Sequence, residues 1–303
     1  MGERTLTVEV MPGCLEPRLD AFLHRRLPAL SRRLVRRVIA EGLVRVNGRP
    51  GAKGTRLLPG DRVTLPELAA GIVPEPELAL PILYEDASLV AVDKPGGMPA
   101  HALDPRQRGT AAAFLLARHP EMAAVGDPLA PGLVHRLDTG TSGILLAART
   151  PAAHAAMRAA LRARAVEKRY LALVAGAAPE LDGRRVTTAL AHDPRDRRRM
   201  IAALPGVRAW PAETTLAVRV LGPAHTLVEA TIRTGVTHQV RAHLALAGHP
   251  VLNDVLYGGP AAPLGPGRHA LHATRVALHH PDTGRPLTVT SPLAGDLERL
   301  LGA

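Results

Sequence analysis

The nine residues His135-Arg136-Leu137-Asp138-Thr139-Gly140-Thr141-Ser142-Gly143 set a carboxylate beside an arginine, hydroxyls and two glycines, and run directly into the apolar Ile144-Leu145-Leu146-Ala147. The pattern predicts a loop that delivers Asp138 to the start of a buried strand. A carboxylate placed there can act as a covalent nucleophile or as a base. Asp-Thr-Gly is equally ordinary turn chemistry, and these nine residues alone leave both readings open.

Three other segments carry chemistry. The Pro/Gly run Asp93-Lys94-Pro95-Gly96-Gly97-Met98-Pro99 follows the strand-like 88–92 and brings Lys94 and His101 to a strand end. Tyr170, one of three tyrosines, lies in the strand-like 167–174 and alternates with charges expected to face outward. Core packing explains a tyrosine there as readily as function does. Thr237 is expected to cap a helix reaching about Ala247, with Gly248 as its stop. On that helix Val240, Leu244 and Ala247 form the core face, while His238 and Arg241, three apart, share another. The histidines at 238, 243 and 249 match no metal-ligand spacing and have no thiol or carboxylate cluster with them, so no metal is expected.

The elements that must position these residues follow from periodicity. Helices are expected at 110–119 and, with Thr150 as cap and Pro151 at the first turn, from there to about Arg164. Strands are expected at 214–220 and 226–233, and 192–200 reads as a basic loop. Upstream, residues 66–81 contain Pro66, Pro74, Pro76 and Pro81 with acids between them, which predicts a semi-rigid tether between two domains. The N-terminal part reads as a small module. Its first helix is 18–27. Ser31 caps a second, on which Leu34, Val35, Val38 and Ile39 oppose Arg32, Arg33, Arg36 and Arg37. Gly42 ends that helix, Asn47-Gly48 is a two-residue hairpin turn after the strand 44–46, and Gly60-Asp61 precedes a strand at 62–65. Twelve basic side chains between Arg18 and Arg62 face only Asp20, Glu41 and Asp61, which favours a phosphate backbone as the partner of the four-arginine face.

Bulk properties agree. With Lys+Arg 38 against Asp+Glu 27 the 303-residue chain carries +11, pointing to nucleic acid before any acidic membrane. Nearly all of that charge is arginine; the three lysines are Lys53, Lys94 and Lys168. The lone Cys14 excludes an internal disulfide framework and a cysteine-cluster zinc site. Residues 1–10 lack a signal-peptide core and no apolar run could span a bilayer, so a soluble cytoplasmic protein without a membrane partner is expected. A monomer is expected as well.

Two resemblances gather these segments. Residues 16–66, with Arg-Leu-Asp-x-Phe-Leu, Leu-Ser-Arg-Arg, Val-Asn-Gly and Gly-Asp-x-Val, resemble the S-four-type RNA-binding domain. Residues 80–303 resemble the RluA family of RNA pseudouridine synthases through 92–101, 135–143, 167–174, Thr237-His238-Gln239-Val240-Arg241-Ala242-His243-Leu244 and Gly248-His249-Pro250, with Leu271-His272-Ala273 and His280-Pro281 fitting its C-terminal pattern. Two positions depart from it: Val236 stands where the family usually has Arg, and Asn253 where Gly usually precedes Asp254.

The resemblance implies an α+β chain: residues 1–66 as a small α/β RNA-binding domain, 67–81 as linker, and 82–303 as a catalytic domain with a mixed, largely antiparallel sheet, flanking helices and a central cleft. It implies isomerisation of specific uridines to pseudouridine in structured RNA, ribosomal RNA before transfer RNA, with no cofactor. It makes Asp138 the nucleophile, leaving open attack on uracil, attack on ribose or removal of a ribose proton, with Arg241 its cation and Tyr170 the ring stacked on uracil and assisting proton transfer at carbon 5. Arg136, Lys94, His238 and the four helix arginines would contact RNA, Arg136 filling the vacated stack. Two rivals stand beside it. One is a non-catalytic RNA-binding or ribosome-assembly protein that has kept the fold. The other is an aspartic protease built from Asp138-Thr139-Gly140 and Asp282-Thr283-Gly284, whose second copy lacks the apolar and hydroxyl flanks such a pair needs.

Overall fold

The chain is described by a computed structural model over residues 5–14, 18–27, 32–66 and 71–302, the side chains of Arg32 and Arg33 excepted. It divides into two compact units, Met1–Ile72 with Leu103–Arg106, and Val73–Ala102 with Gln107–Ala303.

In the first unit the strands Thr5–Glu9, Arg62–Pro66, Arg45–Val46 and Arg49–Pro50 lie in that order in an antiparallel sheet. Asn47 and Gly48 both take positive φ, as the tight turn between the two short strands requires. Helices Leu19–Arg26 and Arg32–Ala40 pack on the sheet. Leu19, Phe22, Leu23, Leu34, Val35, Val38 and Ile39 form one core with Val44, Val63 and Leu65. Each such buried side chain contributes about 1.5–3 kcal/mol, enough to fix which helix face turns outward. Arg36 and Arg37 are on that outer face. Ser31, expected as the cap of the second helix, lies outside the described residues, as do the side chains of Arg32 and Arg33. Arg37 departs from its expected role of free phosphate contact. Its Nε donates to Glu41 at 2.8 Å and its Nη1 to Asp104 at 2.5 Å, so its charge is already matched.

The second unit is built on a nine-stranded sheet. From one edge its strands are Arg185–Val186, Thr214–Leu221, His225–Ile232, Glu167–Ala175, Leu271–His279, Ser142–Ala148, Leu89–Lys94 and Ile82–Glu85, and Pro286–Thr290 adds to Leu271–His279. Every neighbouring pair is antiparallel except one. Ser142–Ala148 meets Leu271–His279 in parallel, at only His272–Ser142 and Ala273–Gly143. Gly143 explains how close that joint is. It has φ +107°, and a Cβ there would stand 2.3 Å from the Ala273 carbonyl oxygen. Gly140 is constrained likewise, its missing Cβ facing the Gly267 carbonyl at 2.2 Å. Both motif glycines are therefore close-approach positions.

The helices begin as their caps dictate. Thr150 Oγ1 accepts from Ala153 N at 3.1 Å and Pro151 opens Pro151–Arg162; Thr110 Oγ1 does the same for Ala113 N ahead of Ala111–Arg118. The helix Gln239–Leu246 differs from expectation, because its cap is His238 in a left-handed conformation and not Thr237. The segment read as a tether differs as well. From Val73 it belongs to the second unit, where Leu80 is buried and the buried Glu75 accepts from Gly109 N at 2.8 Å. Among the described residues no helix is long and apolar enough to cross a membrane.

Candidate active site

The motif loop is staked from below by buried polar side chains. Arg268 Nη1 donates to the Gly140 carbonyl at 2.9 Å and its Nη2 to Ser142 Oγ at 2.9 Å. Its Nε is paired with Asp296 at 2.8 Å, so the C-terminal helix Gly295–Leu301 holds the guanidinium in place. Thr141 Oγ1 meets His269 Nε2 at 2.9 Å and Ser142 Oγ meets His272 Nδ1 at 2.8 Å. His135 Nε2 accepts from Leu146 N at 3.0 Å, and burial drives its pKa down to about 3, so it is a neutral acceptor and not a proton carrier.

Lys94 belongs to this scaffold, which corrects its expected role as an RNA contact. It is fully buried, and its ammonium donates to Pro95 O and Met98 O, both at 2.8 Å, and to Thr139 O at 3.3 Å. Three carbonyls around one point charge suit an ammonium better than a planar guanidinium. A side chain so enclosed does not reach a phosphate.

Above the scaffold lies a cavity of about 380 Å³ whose walls include Asp138, Arg136, Tyr170, His238 and Arg241. These five were expected to act together, and the fold draws them from three separate elements. Asp138 sits at the loop's turn, its side chain 19% exposed. Its Oδ2 accepts from Arg241 Nη1 at 2.8 Å, and its Oδ1 lies 3.7 Å from His238 Nε2. Burial alone would push this carboxyl up; His238, Arg241 and His269 outweigh it and hold it below the usual carboxylate range. Burial also lowers the proton affinity of His238, and drives His269 down to about 4. The standing cation beside Asp138 at neutral pH is therefore Arg241, whose own pKa its carboxylate partners raise against burial.

Arg241 is aimed by a residue that sequence reading left without a role. Asp254, 2% exposed, takes Nε of Arg241 on Oδ2 at 2.6 Å and Nη2 on Oδ1 at 2.8 Å. The Tyr257 ring lies under the guanidinium, 5.2 Å from centroid to Cζ, and its hydroxyl accepts from Met200 N at 2.9 Å and meets His238 Nδ1 at 3.2 Å. Asn253 accounts for one departure from the family pattern. It has φ +61°, a left-handed conformation that Gly adopts freely and Asn tolerates best among other residues. The backbone that presents Asp254 is thus available with either residue. Val236, the other departure, is half-buried beside the Tyr257 cluster and lines the cavity with an apolar wall.

Tyr170 and Lys168 correct the expectation of outward charges on their strand. Glu167 and Arg169 pair at 3.0 Å on the half-buried face, while Lys168 and Tyr170 turn inward to the cavity. Burial and the Asp138 charge raise the Tyr170 hydroxyl well above its ordinary pKa, so it stays protonated. Lys168 has one hydrogen-bond acceptor among the described residues, Thr234 O at 3.2 Å, and burial lowers its ammonium to about 8. A signal for both buried lysines was present: in a chain whose cations are nearly all arginine, two of the three lysines stand where a compact ammonium is needed. Among the described residues no three His, Cys, Asp or Glu side chains gather to hold a metal.

Known proteins resemble this chain in sequence and fold. The RNA pseudouridylate synthase family matches residues 88–246 and the S4 domain family residues 17–63. The "Ribosomal large subunit pseudouridine synthase D" of Neisseria meningitidis serogroup A is 35% identical, with 98% of this chain and 80% of that protein covered. An "Uncharacterized RNA pseudouridine synthase" of Chloroflexus aurantiacus is 38% identical over 97% of this chain and 92% of its own. Among solved structures, human RNA pseudouridylate synthase domain containing 1 superposes with TM-score 0.55 at 26% identity, covering 76% of this chain and 96% of that one. Human RNA pseudouridylate synthase domain containing 4, at 24% identity and TM-score 0.57, shares the fold over 73% of this chain and 91% of its own. With a family match over more than half its length and relatives this similar from end to end, the chain belongs to the RNA pseudouridine synthases of the RluA type and carries an S4 domain before the catalytic unit.

Proposed function

We propose that this enzyme converts specific uridines of large-subunit ribosomal RNA to pseudouridine with Asp138 as the nucleophile. The observation that carries the reading is one array in one cleft: an ionised Asp138 paired to Arg241, with Tyr170 on the facing strand. The ribosomal substrate is supported by relatives named for the large subunit. The N-terminal unit binds RNA, and the unit that begins at Val73 carries the chemistry.

The bond between ribose carbon 1′ and uracil nitrogen 1 breaks as Asp138 forms a bond to the nucleoside, the base turns, carbon 5 joins carbon 1′ as the bond to Asp138 breaks, and carbon 5 loses its proton while nitrogen 1 takes one up. Electrons and atoms balance without oxidant or metal. The target base leaves its stack to reach Asp138, at a cost of a few kcal/mol that is smallest in loops. Arg136, exposed at the cleft, takes the vacated place. Tyr170 stacks on the uracil and, being protonated, serves as a donor and not as a standing phenolate base.

The test is release of tritium from uracil carbon 5 in ribosomal and transfer RNA transcripts, followed by mapping of the modified uridine. Wild type releases tritium from large-subunit RNA, and Asp138→Asn releases none while binding the same RNA. Turnover by Asp138→Asn removes Asp138 from the chemistry; tight binding without turnover by wild type returns the non-catalytic reading.

A further inference from the structure

The cleft continues past Asp138. A second cavity of about 470 Å³ shares Leu161, Arg162, Gly235, Val236 and Thr237 with the first and extends to Trp210, His192 and Arg164. Trp210 is the only tryptophan in a chain with 2% aromatic residues, and it is half-buried at this wall. Its strand Ala209–Trp210 pairs with Leu190–His192 in a small three-stranded sheet, so the ring is carried by regular structure. His192 meets the ring edge-on at 5.5 Å and lines the cavity, while Arg208, over the ring at 5.5 Å, does not.

Two arginines stand at the rim, both at the end of the helix Pro151–Arg162. Arg162 is exposed and has no ion-pair partner among the described residues. Arg164 occupies the position after the helix end with φ +58°, in the turn closed by Ala165 N to Ala160 O at 2.9 Å. Glycine is the usual residue there, since any side chain meets backbone strain. The acid whose charge interacts with Arg164, Glu213, is already bound to Arg185 at 2.7 Å. An exposed arginine kept in a strained backbone, facing an open cavity with an aromatic wall, fits a ligand that offers both a phosphate and a planar ring.

We propose that this cavity binds one nucleotide neighbouring the target uridine, its base stacked on Trp210 and its phosphate beside Arg162 and Arg164. The proposal rests on the reading of RNA as the substrate of the adjoining cleft. Stacking on an aromatic platform tolerates any base, because every base has a π face. The cavity therefore selects an unpaired neighbour more than a particular sequence. Val236 gives the wall common to both cavities an apolar side chain beside the shared Arg162.

Trp210 also packs beside the cluster that contains Tyr257, so the test must separate stacking from support of Arg241. Binding of the full chain to large-subunit RNA hairpins is measured in the Asp138→Asn background, where it does not depend on turnover, with single abasic sites placed on either side of the target uridine. Trp210→Leu keeps an apolar side chain, smaller than the indole, without offering an aromatic ring, and Trp210→Phe keeps a smaller ring. The expected result is about tenfold weaker binding for Trp210→Leu, near-normal binding for Trp210→Phe, and one flanking abasic site that costs the Trp210 protein about tenfold and the Trp210→Leu protein nothing further. Arg164→Gly is expected to melt at a higher temperature, the strain being relieved, while the slope of log affinity against log salt falls by about one. Equal abasic penalties in both proteins at every position, or an unchanged affinity in Trp210→Leu, overturns the cavity assignment. Loss of tritium release from wild type alone, with the abasic coupling intact, overturns the catalytic reading and leaves the nucleotide site standing.

Discussion

Asp254 holds Arg241 through two hydrogen bonds, at 2.6 and 2.8 Å, and so fixes the direction in which the third nitrogen of the guanidinium reaches Asp138. Asp254→Asn keeps the shape and removes the charge that locks the fork. A displacement of about 1 Å at a reacting group costs on the order of a hundredfold in rate. The expected outcome is a fall of that size in kcat with little change in RNA affinity, measured by tritium release and by filter binding. A loss confined to affinity would mean that Asp254 acts on RNA and not through Arg241.

Arg241 also sets the pH behaviour of the site. Burial raises the Asp138 carboxyl and its cationic neighbours lower it, with the net position below the ordinary 3.8. Removing the cation in Arg241→Met takes away both its charge and its hydrogen bond and leaves only His238 and His269 to oppose burial, so the Asp138 pKa rises. Activity that needs the carboxylate is lost as pH falls through that pKa. The acid limb of kcat/KM therefore moves to higher pH in Arg241→Met, whatever the residual rate. A limb that stays in place would show that another group carries the acid ionisation.

Lys168 predicts a gain in stability. Its ammonium is pushed from 10.5 to about 8 by burial, a differential of roughly 3 kcal/mol against the folded charged form. Between these values the unfolded chain binds the proton that the folded chain has released, so stability rises with pH across the window 8 to 10.5. Below pH 8 the full cost is present. Lys168→Met is expected to raise Tm by several degrees at pH 7, with the advantage shrinking toward pH 10. Calorimetry at the two pH values checks this, and an equal gain at both would attribute it to packing alone.

The N-terminal helix separates two arginines that look alike in sequence. Arg36 is exposed and has no ion-pair partner among the described residues, whereas Arg37 is bound to Glu41 and Asp104. Arg36→Gln should lower the salt slope of RNA binding by about one, and Arg37→Gln by much less, because a paired charge releases few counterions. Equal effects would mean that Arg37 leaves its partners when RNA binds.

Much of the machinery was written locally. The Asp-Thr-Gly loop before an apolar strand, the capped helix after Thr150, the Asn47-Gly48 turn and the spacing of His238 and Arg241 all follow from neighbours within a few residues, where turn chemistry and period decide. Sequence motifs also gave the family. What sequence did not contain is which long-range partner each charge would meet. The sign of Lys94 is the same whether it faces RNA or three backbone carbonyls, and only the closure of Thr139 over it selects the second. Lys168 and Arg169 are adjacent cations, and the sheet's pairing places one in the cavity and the other beside Glu167. Asp254 and Arg268 stand far in sequence from Asp138, and they become parts of its setting because a short parallel joint at Gly143 brings the end of the chain under the loop. The residue types and their order determined the chemistry available to this protein. The tertiary structure decided which charges are desolvated and paired, and pairing in a largely buried cleft is what turns a common carboxylate into a poised one.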